Sequence, residues 1–154
     1  MTEKKSSSYT ILANGRLLDL SVPKVMGILN VTPDSFYANS RKQSEQEIAS
    51  RIEQIIQEGG DIIDIGAYSS RPNAADVSPE EEMKRLRNGL EILRKTAPDA
   101  IVSVDTFRAD VAAMCVEEFG ASIINDISAG DMDGNMADTV ARLNVCLLYT
   151  SPSP

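Results

Sequence analysis

Histidine does not occur among the 154 residues of this chain, and tryptophan is absent too. Without histidine there is no Ser-His-Asp triad, no HExxH zinc site and no imidazole base. Cysteine is scarce. Cys115 and Cys146 are the only two, and neither sits in a CxxC pair, so nothing suggests a thiolate zinc site or a disulfide framework. They read as reduced thiols of a cytoplasmic protein. Basic residues are outnumbered, 15 Lys and Arg against 23 Asp and Glu, for a net charge of −8. That balance lacks the basic face a general nucleic-acid binder needs to neutralise phosphates. It argues equally against an anionic membrane surface. No apolar run approaches the length of a membrane span. The opening MTEKKSSSYT is polar and has no apolar core, so it does not read as a signal peptide. No GxGxxG and no Walker A loop follows the first strand pattern.

What is present is an ordinary soluble composition, 42% hydrophobic and 25% charged, in a chain long enough for one domain with a real core. Residues 1–8 read as a disordered lead-in. Tyr9 to Val22 alternates around Asn14-Gly15, a strong hairpin signal. Val25 to Val31 is the first core strand. Ser44 with Glu47 predicts a capping box, followed by an apolar stripe at Ile48, Ile52, Ile55 and Ile56 and a stop at Gly59-Gly60. Asp61 to Ile65 is the next strand. Ser78-Pro79 with Glu81 opens a second helix, with Met83, Leu86, Leu90 and Leu93 as its stripe and Pro98 beyond its end. A strand over Ala100 to Val104, a helix over Arg108 to Phe119 and a strand over Ser122 to Ile127 follow. A short helix over Asn135 to Leu143 and a fifth strand over Val145 to Tyr149 complete the pattern. Strand–helix alternation means a parallel sheet covered by helices, either doubly wound or part of a (β/α)8 barrel.

Each strand carries a polar residue near its carboxyl end: Asn30, Asp64, Asp105, and the pair Asn125 and Asp126. In a barrel those ends converge on one rim. Burying such groups without partners costs on the order of 1–3 kcal/mol each, so they persist most easily where they bind something polar. One such residue alone is as readily a helix cap or a turn former, and Asp126 is the best candidate for that structural role. The segments after the first two strands, Thr32 to Lys42 and Gly66 to Val77, exceed the roughly two to six residues of an ordinary βα connection. In the second of them Arg71, next to Pro72, is either a preset guanidinium for an anionic group or a solvated surface arginine.

MGILNVTPDSF, DIIDIGAYSSRP, VSVDTFRA and INDISAG occur in this order. Together they resemble the motifs of dihydropteroate synthase, a pterin-binding folate-pathway enzyme, over about Thr10 to Val145. The resemblance implies a truncated TIM-type (β/α)8 barrel of about four to five βα units with an N-terminal β-hairpin. It implies that a dihydropterin pyrophosphate loses pyrophosphate with Mg²⁺ assistance and is captured by the amine of 4-aminobenzoate, giving 7,8-dihydropteroate. Asn30 matches the magnesium ligand, and an amide oxygen suits a hard cation. Asp34 and Phe36 match a first loop that closes over the aminobenzoate and the leaving group. Asp105 and Asn125 match residues that bind the pterin ring, and Asp105 would stabilise charge developing there. Asp64 matches a supporting carboxylate of the rim. Ser70 takes the place of a threonine, and Arg71 and Pro72 match the second loop, which shapes the aminobenzoate pocket. The intact protein is expected to be a cytoplasmic homodimer.

Ala67-Tyr68 stand where the family usually has Gly-Glu, and Asn73 where Gly is common, which bears on the shape of the second loop. A complete barrel needs roughly 200 residues or more. The family's later lysine, aspartate, arginine and histidine are not in this sequence. Residues 146–154, CLLYTSPSP, do not match the family and read as non-native sequence. The 154 residues alone are therefore expected to be inactive. The pterin-binding domain of a folate-dependent methyltransferase, or a non-catalytic half barrel, are the alternatives.

Overall fold

The computed structural model describes residues 9–32, 41–68 and 77–149, the first three residues of the first helix by backbone alone. Strands β1 (Thr10–Ala13) and β2 (Arg16–Asp19) form an antiparallel hairpin. Its turn places Asn14 and Gly15 at φ 49° and 71°, the left-handed pair that fits the twist of a two-residue hairpin. The backbone N–H of Asn14 donates to Ser122 Oγ at 2.8 Å, and Arg16 donates to the carbonyl of Asp99. Both partners lie just ahead of a core strand, so the hairpin sits at the amino ends of the strands.

Five strands follow: β3 (Met26–Asn30), β4 (Ile62–Gly66), β5 (Ile101–Asp105), β6 (Ile123–Asp126) and β7 (Cys146–Tyr149). They are all parallel, and their order in the sheet is their order in the chain. A doubly wound sheet reverses direction at a switch point. This sheet does not, so of the two architectures left open by alternation the barrel arrangement is the one observed. Helices α1 (Arg41–Gln57), α2 (Pro79–Thr96), α3 (Ala109–Phe119) and α4 (Met136–Leu143) provide the crossovers. Among the described residues no helix is long and apolar enough to cross a membrane.

The helix boundaries follow local chemistry, with one correction. Ser78 accepts a hydrogen bond from the Glu81 backbone N–H and caps α2, whose first turn is acidic and whose last turn is basic, as the helix dipole prefers. Gly120 and Asn144 close α3 and α4 in the left-handed conformation. The capping box expected at Ser44 is not the start of α1, which begins three residues earlier at Arg41. Arg41, Lys42 and Gln43 are all good helix formers, and their propensity outweighs the cap signal.

The core lies between one face of the sheet and the helices. Leu29, Ile65, Val104 and Ile124 alternate with polar neighbours along their strands and are fully buried. Ile52 of α1, Leu86, Leu90 and Leu93 of α2, and Val111 and Ala112 of α3 belong to the same cluster. The other face of the sheet carries the polar residues.

Candidate active site

Strand register builds the site. Asn30 of β3 pairs with Gly66 of β4, Gly66 with Asp105 of β5, and Asp105 with Asn125 of β6. One row across the carboxyl ends of four strands thus holds an amide, a glycine, a carboxylate and an amide. Two residues deeper, Asp64 of β4 pairs with Ser103 of β5. Side chains alternate along a strand, so these residues share the face turned away from the helices. The glycine has a steric reason. A Cβ at Gly66 would meet Asp105 Cβ and Oδ2 at 3.3 Å each, tighter than ordinary contact. Glycine there leaves room for the carboxylate next door.

Asp64, Asp105 and Asn125 come together as the strand-end pattern predicts. Asn125 Nδ2 donates to Asp64 Oδ2 at 3.0 Å. That bond commits the amide nitrogen of Asn125 and leaves its oxygen to accept from a ligand. The other oxygen of Asp64 and the hydroxyl of Ser103 are buried without a hydrogen-bond partner. Asp105 is half-buried, and its carboxyl is pushed up from 3.8 to about 6. Burial is the first cause, and the negative charges of Asp64, Glu82 and Asp126 add to it. The site therefore gathers acceptors and lacks cations: it suits a ligand that presents N–H donors or carries developing positive charge.

Asn30 stands at the exposed end of the row. Among the described residues no group of three or more His, Cys, Asp or Glu could hold a metal ion. One rim amide fits a magnesium ion that arrives with substrate phosphates and keeps its own waters, and does not make an all-protein cage. Asp126 is structural, as anticipated. It is fully buried and accepts from Ser128 N, Ser128 Oγ and Gly130 N of its own loop. Asp34, Phe36, Ser70, Arg71 and Pro72 lie outside the described residues.

Beside Asp105 lies a network that strand ends did not reveal. Glu82 of α2 is fully buried, accepts from Thr106 Oγ1 at 2.8 Å and forms an ion pair with Arg108. The signal was available: Glu82 precedes Leu86 and Leu90 at steps of four, on the buried stripe of α2. Arg108 opens α3 without capping it. Asp133 does that from the β6–α4 loop, accepting from the Ala109 N–H at 2.8 Å, and this bond holds its carboxyl below the usual range.

Known proteins share both this arrangement and its sequence. The family model described as pterin binding enzyme matches residues 26–151. The dihydropteroate synthase of Staphylococcus haemolyticus is 45% identical over 121 residues, 79% of this chain and 44% of that protein. A mitochondrial folate synthesis bifunctional protein of Arabidopsis thaliana is 47% identical over 123 residues, 79% of this chain and 22% of that protein. Among solved structures, Xanthomonas albilineans dihydropteroate synthase with 4-aminobenzoic acid superposes with a TM-score of 0.82 at 36% identity, over 96% of this chain and 53% of that one. The same enzyme in complex with 7,8-dihydropteroate gives 0.75 at 32%. The chain thus spans about half the length, or less, of the relatives it matches. Its sequential parallel strands and its acceptor-lined row at their carboxyl ends are the amino-terminal part of a (β/α)8 barrel, and the chain belongs to the pterin-binding enzyme family.

Proposed function

We propose that the gene product carrying this chain is a dihydropteroate synthase, joining a dihydropterin methyl pyrophosphate to 4-aminobenzoate. The observation that carries the reading is the acceptor row. Asp105 and the oxygen of Asn125, fixed by Asp64, match the adjacent N–H donors of a pterin edge. As the bond from the methylene carbon to the pyrophosphate oxygen breaks, positive charge spreads into the pterin. The carboxylate of Asp105, already held in a partly desolvated place, stabilises that charge. The amine nitrogen then bonds to the same carbon and loses its proton to solvent.

A magnesium ion bound with the substrate would neutralise the departing pyrophosphate, and Asn30 is the residue of this chain that would ligate it. Asp34 and Phe36 would cover the reacting centre. Ser70, Arg71 and Pro72 would shape the aminobenzoate pocket. These assignments rest on the motif resemblance, as does assembly into a homodimer. The 154 residues alone, spanning about half of the relatives, are expected to be inactive.

The test is a coupled assay on the purified full gene product, supplied with both substrates and Mg²⁺. Stoichiometric dihydropteroate and pyrophosphate support the reading. Tight binding of methyl-tetrahydrofolate, with indifference to 4-aminobenzoate, would replace it with the methyltransferase-type domain.

A further inference from the structure

Two consecutive glutamates of α2 each hold an arginine, and each arginine holds one end of the second loop. Glu81 accepts from Arg85 Nε at 2.9 Å, and Arg85 Nη1 reaches the carbonyl of Ala67 at 3.4 Å, where the chain leaves β4. Glu82 pairs with Arg108, and Arg108 Nη2 donates to the carbonyl of Val77 at 2.8 Å, where the chain returns to α2. The second arm is the stronger. Its glutamate is fully buried and also accepts from Thr106, whose hydroxyl in turn accepts from the Arg108 N–H at 3.2 Å. The guanidinium lies 4.6 Å from the centre of the Phe107 ring and 5.7 Å from that of Tyr68, and the two rings meet edge to face at 5.3 Å. Arg108 therefore touches both ends of the loop, Tyr68 and Val77, from the turn that begins one residue after Asp105.

A buried ion pair is weak evidence for stability, because apolar residues of similar shape often serve as well. What a guanidinium adds is a planar fork that fixes directions. Here the fork joins the loop ends to the strand end that carries Asp105. We propose that Arg108, oriented by Glu82, is a positioning residue for the amine substrate: it sets the second loop against the rim so that the pocket beside Asp105 has one shape. The proposal rests on the synthase reading and adds to it a residue that touches neither substrate.

The experiment uses the full gene product in three forms: wild type, Arg108→Lys, and Glu82→Gln with Arg108→Met. The double variant removes both charges together and so leaves no unpaired buried ion. In both variants the KM for 4-aminobenzoate is expected to rise roughly tenfold or more, the loss of about one directed hydrogen bond, while the KM for the pterin substrate stays within about twofold. The melting temperature of the double variant should stay near that of the wild type. A double variant with wild-type KM for 4-aminobenzoate overturns the proposal. So does a parallel rise of both KM values with a lowered melting temperature in the lysine variant, because that is what a purely structural pair would give. A wild-type protein that forms no dihydropteroate overturns the synthase reading itself, a result distinguishable from either of these.

Discussion

The two faces of β4 and β5 differ more than any other pair of surfaces in the described residues. On the helix side Ile63, Ile65, Val102 and Val104 are buried among aliphatic neighbours. On the other side Asp64, Ser103 and Asp105 stand in the same two strands, with two buried polar atoms unpaired and one carboxyl pushed up to about 6. Sequence alternation puts the two sets one residue apart. The first face is as stable as packing can make it. The second retains an electrostatic cost that a fold without a ligand would have no reason to keep. Substitutions on the two faces should therefore change stability in opposite directions.

The largest effect belongs to the packed face. Ile65 is fully buried, and its Cδ1 lies only 2.7 Å from where a Cβ would stand on Gly89, so α2 approaches the sheet as closely as a glycine permits. Ile65→Ala should destabilise the protein by about 2–5 kcal/mol, the transfer of the side chain plus the cavity left behind. Urea denaturation measures it. A loss below about 1 kcal/mol would mean that the helix layer can collapse onto the gap and that the packed face is softer than it looks.

The same alternation explains what the sequence disclosed. Helix ends were legible because Ser78, Gly59, Gly120 and the apolar stripes act locally, and the sheet followed from their order. Ser44 misled because a cap signal competes with the propensity of the residues before it. Asp64, Asp105 and Asn125 were legible because a polar residue ending an apolar run is conspicuous. Ser103 was not, since a small hydroxyl inside IVSVD resembles ordinary strand filling. Glu82 and Arg108 were missed because their meaning lies in a contact 26 residues apart in sequence. The barrel as against the doubly wound sheet was undecided until the order of the strands was known.

On the polar face the next effect has the opposite sign. Asp105 titrates near 6 in the folded protein and at its ordinary 3.8 when unfolded. Between those values the native state holds more protons than the unfolded one, so stability falls as pH rises through the window. Above pH 6 the penalty is fully present, and below 3.8 it is gone. Asp105→Asn removes it. The variant should be more stable at pH 7.5 by about 1–2 kcal/mol, after allowance for the partial exposure of the group. The gain should vanish near pH 4. The same variant should lose most synthase activity, since the charge that would stabilise the pterin is gone. Unfolding measured at both pH values decides it. A variant less stable than wild type at pH 7.5 would show that Asp105 has a native partner that offsets its burial.

The smallest effect sharpens the comparison within the polar face. Asp64 stands second after burial among the causes that push Asp105 up. Asp64→Asn keeps an oxygen for Asn125 Nδ2 but removes the like charge. The pKa of Asp105 should then fall, though not to 3.8, because burial remains. Two consequences follow together. The acid limb of the activity profile moves to lower pH, and Asp105→Asn stabilises the Asp64→Asn background less than it stabilises the wild type. In a double-mutant cycle at pH 7.5 the coupling should be about 0.5 kcal/mol or more, as expected for contacting charges. A cycle that closes to zero would assign the whole shift to burial. Asp64 would then serve Asn125 alone, holding its amide, and would play no part in setting when Asp105 is charged.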